Sequence, residues 1–362
     1  MLALSEEQQL IRDSAARVVR ANTVSGLPKQ RDCAAPVWSS MVELGWVALA
    51  VSSQQGGMGG SALDLCALAA ELGSALMVGS FAIECVLAGE ILARASPSSV
   101  RDASVTELLA GNRTLAVAGA STAVPELQAR WDAGGWLLEG TARNVWVSGL
   151  TRELLVCADT GEGGDLLAVI PLRAPGVAIS QFPTVDRGLA VDGSFAGVHV
   201  PAEALLADPG PQARAIRERA WDLATLVTVA ECVGMMRSLL ERTAEHLRTR
   251  KQFGKPLAQF QALRHRMADM VLAMRRAEVL AERVAREFAN LAPAERTAAV
   301  AAAGVKGLAG LRFVAEQAIQ LHGGMGISAE LPIGNFVRRS IALEATFGCP
   351  DQHRIRFQEF AS

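Results

Sequence analysis

The side chains best suited to bind a charged ligand lie in one basic stretch, residues 248–257, with the sequence RTRKQFGKPL. Four cations fall within eight residues there, and Phe253 and Gly254 interrupt the charge. A guanidinium group binds two phosphate oxygens at once (bidentate binding), a phenyl ring offers a stacking face, and glycine lets the backbone approach a neighbouring molecule closely. The stretch therefore suits a planar ligand that carries phosphate. The alternative is a solvated helix end, because Lys and Arg favour the C-terminal dipole of a helix.

A second stretch, residues 320–326 with the sequence QLHGGMG, ends another long helical pattern. Its glycines allow a tight turn with exposed backbone N–H groups, although alone this pattern marks only a helix end. The combination is more specific. The RxxFGKP motif, Phe260-Gln261 and the distant QxHGGxG motif together resemble the C-terminal domain of the acyl-CoA dehydrogenase family.

The resemblance extends over nearly the whole chain. Four further segments resemble segments of the family. These are the N-terminal start of its sequence, its glycine turn with the following helix, the flavin-facing strand of its middle domain, and the C-terminal end of that domain. They are residues 4–8 (LSEEQ), 55–60 (QGGMGG) with 63–64 and 70–73, residues 140–148 (GTARNVWVS), and residues 200–206 (VPAEALL).

The resemblance implies FAD as cofactor and α,β-dehydrogenation of an acyl-CoA thioester, in which a glutamate base takes the α-proton and the flavin accepts the β-hydride. It also implies that the basic stretch and the Gly-Gly loop reach the FAD of a neighbouring subunit. The residues so assigned are Arg250, Gln252, Phe253, Gln261, Gln320, Gly323 and Gly324. Trp146 and Ser148 would meet the flavin ring held by this chain's own middle domain, and a core role is the alternative for Trp146.

The sequence departs from the family pattern in two places. Residues 119–126, GASTAVPE, stand where the family has a Thr-Glu-Pro-rich loop that contacts flavin and substrate, and most of that pattern is lost. Counting from Gly324, the usual position of the base holds Phe347. Counting back from Gly234, the alternative position in some relatives holds Ala224. Neither side chain can accept a proton, so no catalytic residue is predicted.

Two carboxylates lie near these positions. Glu344 precedes Phe347 by about one helical turn, and Glu231 precedes Gly234 by three residues. Either is a candidate for a displaced base, because one turn moves a side chain about 5 Å. The alternative for each is an ion pair or another structural role. We expect His322 to orient its loop rather than to act as a base.

Composition limits the functional classes. The chain has 362 residues, enough for two or three domains, and a net charge of −2, which does not favour nucleic acid or an anionic membrane surface. The six cysteines include no close pair, so neither a disulfide framework nor a metal site is predicted, and a reducing cytoplasm is favoured. Acidic residues interrupt the N-terminus and the apolar segment 62–95, which argues against a secretory leader or a membrane span there.

Periodicity predicts a mainly helical protein with a central β domain. The predicted domains are an N-terminal helical domain at residues 1–112, a small antiparallel barrel or sandwich at 113–208, and a helical bundle at 209–362. Six short strand-like runs are predicted at Leu115–Val117, Trp136–Leu138, Asn144–Val147, Leu154–Ala158, Leu166–Ile170 and Gly197–Val200. Four bundle helices are predicted near Ala213–Thr249, Leu257–Asn290, from Pro293 onward, and Ile333–Phe347.

The missing base favours one type of family member. The chain resembles the non-catalytic partner in heterotetrameric (α2β2) dehydrogenases of steroid side-chain degradation, in which another subunit supplies the glutamate. The implied partners are that second subunit, an acyl-CoA, and an electron-transfer flavoprotein or similar acceptor. Two alternatives stay open: a homomeric acyl-CoA or acyl-carrier dehydrogenase with a displaced base, and a flavin-free scaffold or regulatory subunit.

Overall fold

The structure, a computed structural model of the chain, describes residues 5–24, 27–28, 34–77, 79, 81–121, 126–132, 134–161, 163–327 and 333–360. The chain divides into two compact units. One consists of Met1–Val37, Ala62–Val78 and Thr225–Ser362, and the other of Trp38–Ser61 and Gly79–Ala224. The predicted boundaries at 112 and 208 stay a prediction. Leu4 of the opening motif and residues 122–125 of the loop at 119–126 lie outside the described residues.

The N-terminal third is helical, as predicted. Its helices are α1 (Glu6–Asn22), α2 (Ala34–Glu43), α3 (Ala62–Ser74), α4 (Ala88–Arg94) and α5 (Ser99–Leu109). Ser5 caps α1 through a reciprocal pair, in which Ser5 Oγ accepts from the Gln8 amide and Gln8 Oε1 accepts from the Ser5 amide. A two-stranded antiparallel ladder of β1 (Thr23–Val24) and β2 (Leu27–Pro28) follows α1. A π-helical turn at Phe81–Leu87 leads directly into α4.

The middle of the chain forms a seven-stranded sheet. The strands are β3 (Thr114–Ala118), β4 (Leu127–Asp132), β5 (Gly135–Val147), β6 (Thr151–Asp159), β7 (Asp165–Pro171), β8 (Val177–Pro183) and β9 (Leu189–Val200). Their order is β3-β6-β4-β5-β9-β8, with β7 also paired to β6. The β3–β6 and β4–β6 pairs are parallel, so the sheet is mixed and not purely antiparallel as predicted. The β4–β5 hairpin supplies the long connection that the parallel β3–β6 pair requires.

Two strands of the seven-stranded sheet, β4 and β8, were not predicted from the sequence, and both expose about every second residue. Strand β4 and strand β8 carry polar or half-exposed side chains at many positions, so neither forms an apolar run. Conversely, the runs at Trp136–Leu138 and Asn144–Val147 belong to the single strand β5, which contains register shifts against β9. Asn144 has a positive φ of 51° at that irregularity. Bulges of this kind interrupt the apolar pattern without ending the strand.

The C-terminal helices begin and end close to their predicted positions. They are α6 (Pro211–Thr249), α7 (Gln261–Glu287), α8 (Pro293–His322), α9 (Ile333–Phe347) and α10 (Pro350–Phe360). Helix α10 was not predicted, because among its described side chains only His353 is buried. Two segments, Pro211–Thr249 and Pro293–Gly326, pass a length and composition test for membrane spans. Buried residues make up 94% and 61% of their most apolar windows, so this is weak evidence for a span.

Helices α3 and α6 approach each other closely at two glycines. A Cβ atom on Gly234 would lie 1.8 Å from the carbonyl oxygen of Ala70, and one on Gly73 would lie 2.7 Å from that of Glu231. No side chain fits at Gly234 without moving backbone. The two glycines therefore fix how this pair of helices interlocks.

Candidate functional site

The basic stretch forms a tight hairpin directly after α6. Its strands are β10 (Lys251–Gln252) and β11 (Lys255–Pro256), with Gln252 opposite Lys255. The loop residues Phe253 and Gly254 have φ angles of 52° and 77°, which is the requirement of a type I′ turn. A positive φ is unfavourable for a bulky residue such as Phe253. Strain of this kind concentrates at functional sites, so the hairpin is a candidate binding element.

The hairpin presents its side chains to solvent. Phe253 is 90% exposed, and its ring meets that of Phe260 edge-on at a centroid distance of 6.1 Å. The Lys255 ammonium lies 4.4 Å from the centre of the Phe260 ring. Within the described residues, the Arg250 guanidinium has no ion-pair or hydrogen-bond partner. An exposed phenyl face and an unpaired guanidinium are therefore available to a ligand.

The Gly-Gly loop meets the end of α6 through two histidines. The rings of His246 and His322 stack with centroids 4.4 Å apart, and His322 Nδ1 lies 2.8 Å from the Ala318 carbonyl oxygen. Burial lowers the pKa of both histidines, and repulsion from the charges of His322 and Arg250 lowers the pKa of His246 further. The amide of Arg250 donates to the carbonyl of His246. The structure therefore brings the two sequence motifs to one end of the helices, and His322 lies where it can orient its loop.

The remaining residues assigned to this end are accessible. Gln252, Gln261 and Gln320 are exposed, and Gln252 donates to the Lys251 carbonyl. No atom lies within 4 Å of the position that a Cβ would take on Gly323 or Gly324. Amide donors, a free guanidinium, an aromatic face and open backbone fit the pyrophosphate and adenine of FAD. The donor set thus fits the cofactor expected from the sequence.

Trp146 and Ser148 belong to the other compact unit, which contains the seven-stranded sheet. Trp146 is buried, and its ring would lie 2.8 Å from a Cβ placed on Gly188, so the ring packs inside that unit. Ser148 follows the end of β5 and is half-buried. The Ser148 hydroxyl lies 3.0 Å from the Thr114 hydroxyl. Ser148 is therefore partly accessible to a ligand, and the assignment of Trp146 to the flavin ring stays a prediction.

The two positions for a base are closed and apolar. Phe347 is the last residue of α9 and 4% exposed, and Ala224 in α6 is fully buried. Among the described residues, no group of three or more His, Cys, Asp or Glu side chains could hold a metal ion. Neither position offers a proton acceptor.

The two candidate carboxylates differ in their surroundings. Glu231 is buried and accepts two hydrogen bonds from Arg339, at 2.7 and 3.1 Å. This bidentate pair commits the carboxylate to α9, which favours the structural alternative. Glu344 is half-buried, and its Oε2 lies 3.6 Å from Arg312, while its buried Oε1 has no hydrogen-bond partner within the described residues. Burial raises the pKa of Glu344 above its ordinary value.

His353 is a buried polar residue that sequence reasoning missed. It forms a backbone hydrogen bond with Phe347, and burial lowers its pKa to about 4. A Cβ atom on Gly304 would lie 2.7 Å from the ring, so that glycine makes room for it. The neutral imidazole helps to close the region behind Phe347. In the sequence, His353 is a single histidine within a polar segment, and such a residue is only a weak indication of a buried side chain.

Two family models match the chain. Residues 5–112 match the model described as acyl-CoA dehydrogenase, N-terminal domain, and residues 216–360 match acyl-CoA dehydrogenase, C-terminal domain. Together these ranges cover more than half of the chain. A curated relative is the acyl-CoA dehydrogenase FadE27 of Mycobacterium tuberculosis. It is 26% identical over 321 residues, which cover 86% of this chain and 84% of the relative.

Solved structures share the whole fold. The ChsE4–ChsE5 complex from Mycobacterium tuberculosis matches with a TM-score of 0.88 and 24% identity, over 99% of this chain and 97% of that chain. The FAD complex of PigA matches with a TM-score of 0.86 and 21% identity, over 99% and 98%. The predicted fold class is confirmed, and FAD, the predicted cofactor, is bound by a protein of this fold. This chain belongs to the acyl-CoA dehydrogenase family.

Proposed function

We propose that this chain is the subunit of a heteromeric FAD-dependent acyl-CoA dehydrogenase that completes the FAD site while a partner polypeptide carries the catalytic glutamate. The observation that carries the proposal is the contrast between an accessible cofactor end and a closed base region. Phe347 and Ala224 occupy the two positions where relatives carry a base, and both are buried. Arg250 and Phe253 have kept the chemistry of a flavin-binding hairpin.

The reaction divides between two polypeptides in this proposal. FAD supplies the hydride acceptor when it is bound. Arg250 holds phosphate oxygens, Phe253 offers a stacking face, and the open backbone at Gly323 and Gly324 allows close approach. The buried Phe347 excludes water from the region where a relative would position its carboxylate. Removal of the α-proton falls to the partner.

The assembly and the substrate are part of the same proposal. Similarity of fold to the ChsE4–ChsE5 complex supports a second subunit. Similarity of fold to the Tcur3481–Tcur3483 steroid ACAD supports a steroid acyl-CoA as substrate. The α2β2 assembly is what the sequence resemblance implies. An electron-transfer flavoprotein or similar acceptor would reoxidise the flavin. The absence of close cysteine pairs in the sequence supports a cytoplasmic location.

A second candidate function is a homomeric dehydrogenase with Glu344 as a displaced base. One observation favours it: the pKa of Glu344 is raised by burial, and its Oε1 has no partner within the described residues. A general base works best with a pKa near the working pH, so a raised value is in the right direction. Glu231 is a weaker candidate because Arg339 occupies both of its oxygens.

The deciding experiment compares the chain purified alone with the chain purified with a glutamate-bearing partner, such as the product of a neighbouring dehydrogenase gene. Flavin absorbance is measured first, and then turnover on short, long and steroid acyl-CoAs. We expect about one FAD per heterodimer and turnover only in the complex, because loss of a positioned base costs about 10²–10⁴-fold in rate.

Two glutamate variants separate the alternatives. Glu344→Gln should leave the turnover of the complex unchanged, and so should Glu231→Gln when it is assayed at a temperature at which the destabilised variant is folded. Turnover by the FAD-loaded chain alone that Glu344→Gln abolishes would establish the displaced base and overturn the proposal. A complex that assembles without any flavin would instead indicate a scaffold or regulatory subunit.

A further inference from the structure

A buried carboxylate lies on the π-helical turn of the β-containing unit. Glu84 is 1% exposed, within the turn Phe81–Leu87. Single π-helical turns occur frequently at functional sites, and a buried carboxylate is costly unless hydrogen bonds satisfy it. Glu84 therefore calls for a structural or functional reason.

Two hydroxyl groups donate to this carboxylate. Thr114 Oγ1 lies 2.6 Å from Glu84 Oε1, and Thr151 Oγ1 lies 3.0 Å from the same oxygen. An ionised carboxylate oxygen only accepts hydrogen bonds, and each threonine hydroxyl has one proton. Both protons are therefore directed to Glu84, and both threonine oxygens can only accept from any other neighbour.

Ser148 is the next group in this chain of hydroxyls. Its backbone amide donates to Thr151 Oγ1 at 2.8 Å, and its own Oγ lies 3.0 Å from Thr114 Oγ1. Because the Thr114 and Thr151 protons are both committed to Glu84, the Ser148 hydroxyl is the donor, to Thr114 Oγ1 at 3.0 Å or to Thr151 Oγ1 at 3.3 Å. The amide of Leu150 donates to Ser148 Oγ at 3.2 Å. The serine oxygen is then left with one lone pair, and Ser148 is half-buried, so a ligand can reach it.

We infer that Glu84 is a positioning residue that acts through Thr114 to present the Ser148 hydroxyl to the flavin ring as a hydrogen-bond acceptor and not as a donor. This inference rests on the proposed function together with the separate sequence assignment of Ser148 to the ring of an FAD held by this chain's own middle domain. An acceptor selects N–H groups, and the reduced isoalloxazine ring carries more N–H groups than the oxidised ring. The relay therefore favours the reduced flavin and raises its reduction potential.

The test measures the midpoint potential of the flavin in the assembled complex by equilibration with reference dyes. Ser148→Ala removes the acceptor. The preference of the site for reduced over oxidised flavin should fall by up to about tenfold, which lowers the midpoint potential of the two-electron couple by about 30 mV. Thr114→Val keeps the charge of Glu84 but removes the nearer of the two threonine oxygens that can take the Ser148 proton. Thr114→Val should therefore also lower the midpoint potential of the flavin. Thr114→Ser keeps a hydroxyl and should retain the wild-type potential.

Glu84 itself requires a double-mutant cycle, since removing its charge also changes the potential directly. Glu84→Met removes the acceptor at similar length. The shift caused by Ser148→Ala should fall from about tenfold to less than about twofold when Glu84→Met is already present. Glu90→Gln changes another buried carboxylate of the same unit, which is bonded to Arg94 and Arg219, and should leave the Ser148→Ala shift intact.

Each outcome decides the inference. A potential unchanged by Ser148→Ala and Thr114→Val, with flavin bound, overturns the relay and leaves the proposed function standing. Additive shifts for Glu84→Met and Ser148→Ala show that Glu84 does not act through the serine. If Glu84→Met does not fold, the Thr114→Val and Thr114→Ser pair decides. A complex that binds no flavin overturns the relay and the proposed function together.

Discussion

Two regions of the described helical bundle differ in what they offer a ligand. At the hairpin, Phe253 is 90% exposed and the Arg250 guanidinium has no partner within the described residues. In the other region, Phe347 is buried, and Glu231 is bound by two nitrogen atoms of Arg339. The first region has unpaired groups and a strained backbone. The second is closely packed and its Glu231 carboxylate is paired, while Glu344 Oε1 has no partner within the described residues.

Under the proposed function, this difference shows how a family member can lose one function and keep another. Cofactor binding requires groups that stay free until the ligand arrives, and such groups are retained at the hairpin. Proton removal requires a carboxylate that is buried but not bound elsewhere. Phe347 offers no such carboxylate, and the Glu231 carboxylate is already bound by Arg339. Four changes, from the largest expected effect to the smallest, test whether the contrast holds.

The largest effect is expected from Glu231→Gln. It leaves the buried Arg339 guanidinium without its carboxylate, and breaking a buried pair from one side costs about 3–5 kcal/mol. Denaturant unfolding of wild type and of Glu231→Gln measures this loss as a difference in the free energy of unfolding. Glu316→Gln breaks an exposed pair with Arg312 and should cost about 0–1 kcal/mol. Equal stability of Glu231→Gln and wild type would show that Glu231 is free for another role.

The pH dependence of stability tests the closed region through His353. Its pKa is lowered to about 4 in the folded chain, so the neutral ring is favoured by folding. This contribution is fully present above about pH 6.5 and is lost as the pH falls through 4, on the order of 3 kcal/mol in total. Unfolding profiles of wild type and His353→Gln should converge toward pH 4. Parallel profiles would show that the ring is accessible to water.

Arg250→Ala tests the open region. Charge-assisted contacts to phosphate are worth about 1.5–3 kcal/mol, so FAD affinity of the complex should fall about 10- to 100-fold without loss of fold. Flavin absorbance after dialysis gives the occupancy. Arg248→Ala is the matched control, because Arg248 is paired with Glu245 at 2.9 Å and is not assigned to the cofactor. Similar losses in both variants would indicate a general charge effect.

The smallest effect is expected from Phe253→Asn, and its two parts have opposite signs. Asn-Gly is a preferred type I′ turn, so relief of the positive φ should stabilise the chain by about 1 kcal/mol. Loss of the phenyl face should weaken FAD retention by a similar amount. Thermal unfolding and flavin occupancy on the same samples check both. A variant that is less stable and binds FAD normally would contradict the assignment of Phe253.

The sequence predicts local features of this molecule better than distant ones. Helical period predicted α6, α8 and α9 within a few residues, and the two flavin motifs are continuous segments. Strand β8 was missed because its side chains are exposed or half-exposed throughout and form no apolar run. Strand order could not be predicted, since pairing β3 with β6 depends on the crossover between them.

The candidate site shows the same limit. Arg250 and Gly323 were found because each lies in a recognisable motif. The hydroxyls that meet Glu84 come from positions 114 and 151, and no spacing in the sequence connects them. Whether Glu231 was free or paired depended on Arg339, more than a hundred residues away. Partner choice among buried polar groups is a property of the fold.

The contact between Gly234 and Ala70 also constrains how this chain can change over evolutionary time. A Cβ at Gly234 would lie 1.8 Å from a backbone oxygen, so every larger residue there is excluded. An insertion or deletion in α6 would rotate the residues beyond it relative to this glycine, because each residue turns an α-helix by about 100°. Substitutions along α6 therefore keep the contact more readily than a shift of register does. Under the proposed function, a descendant that gains proton removal at this helix would do so by changing a side chain in place, and not by sliding Glu231 to an earlier position.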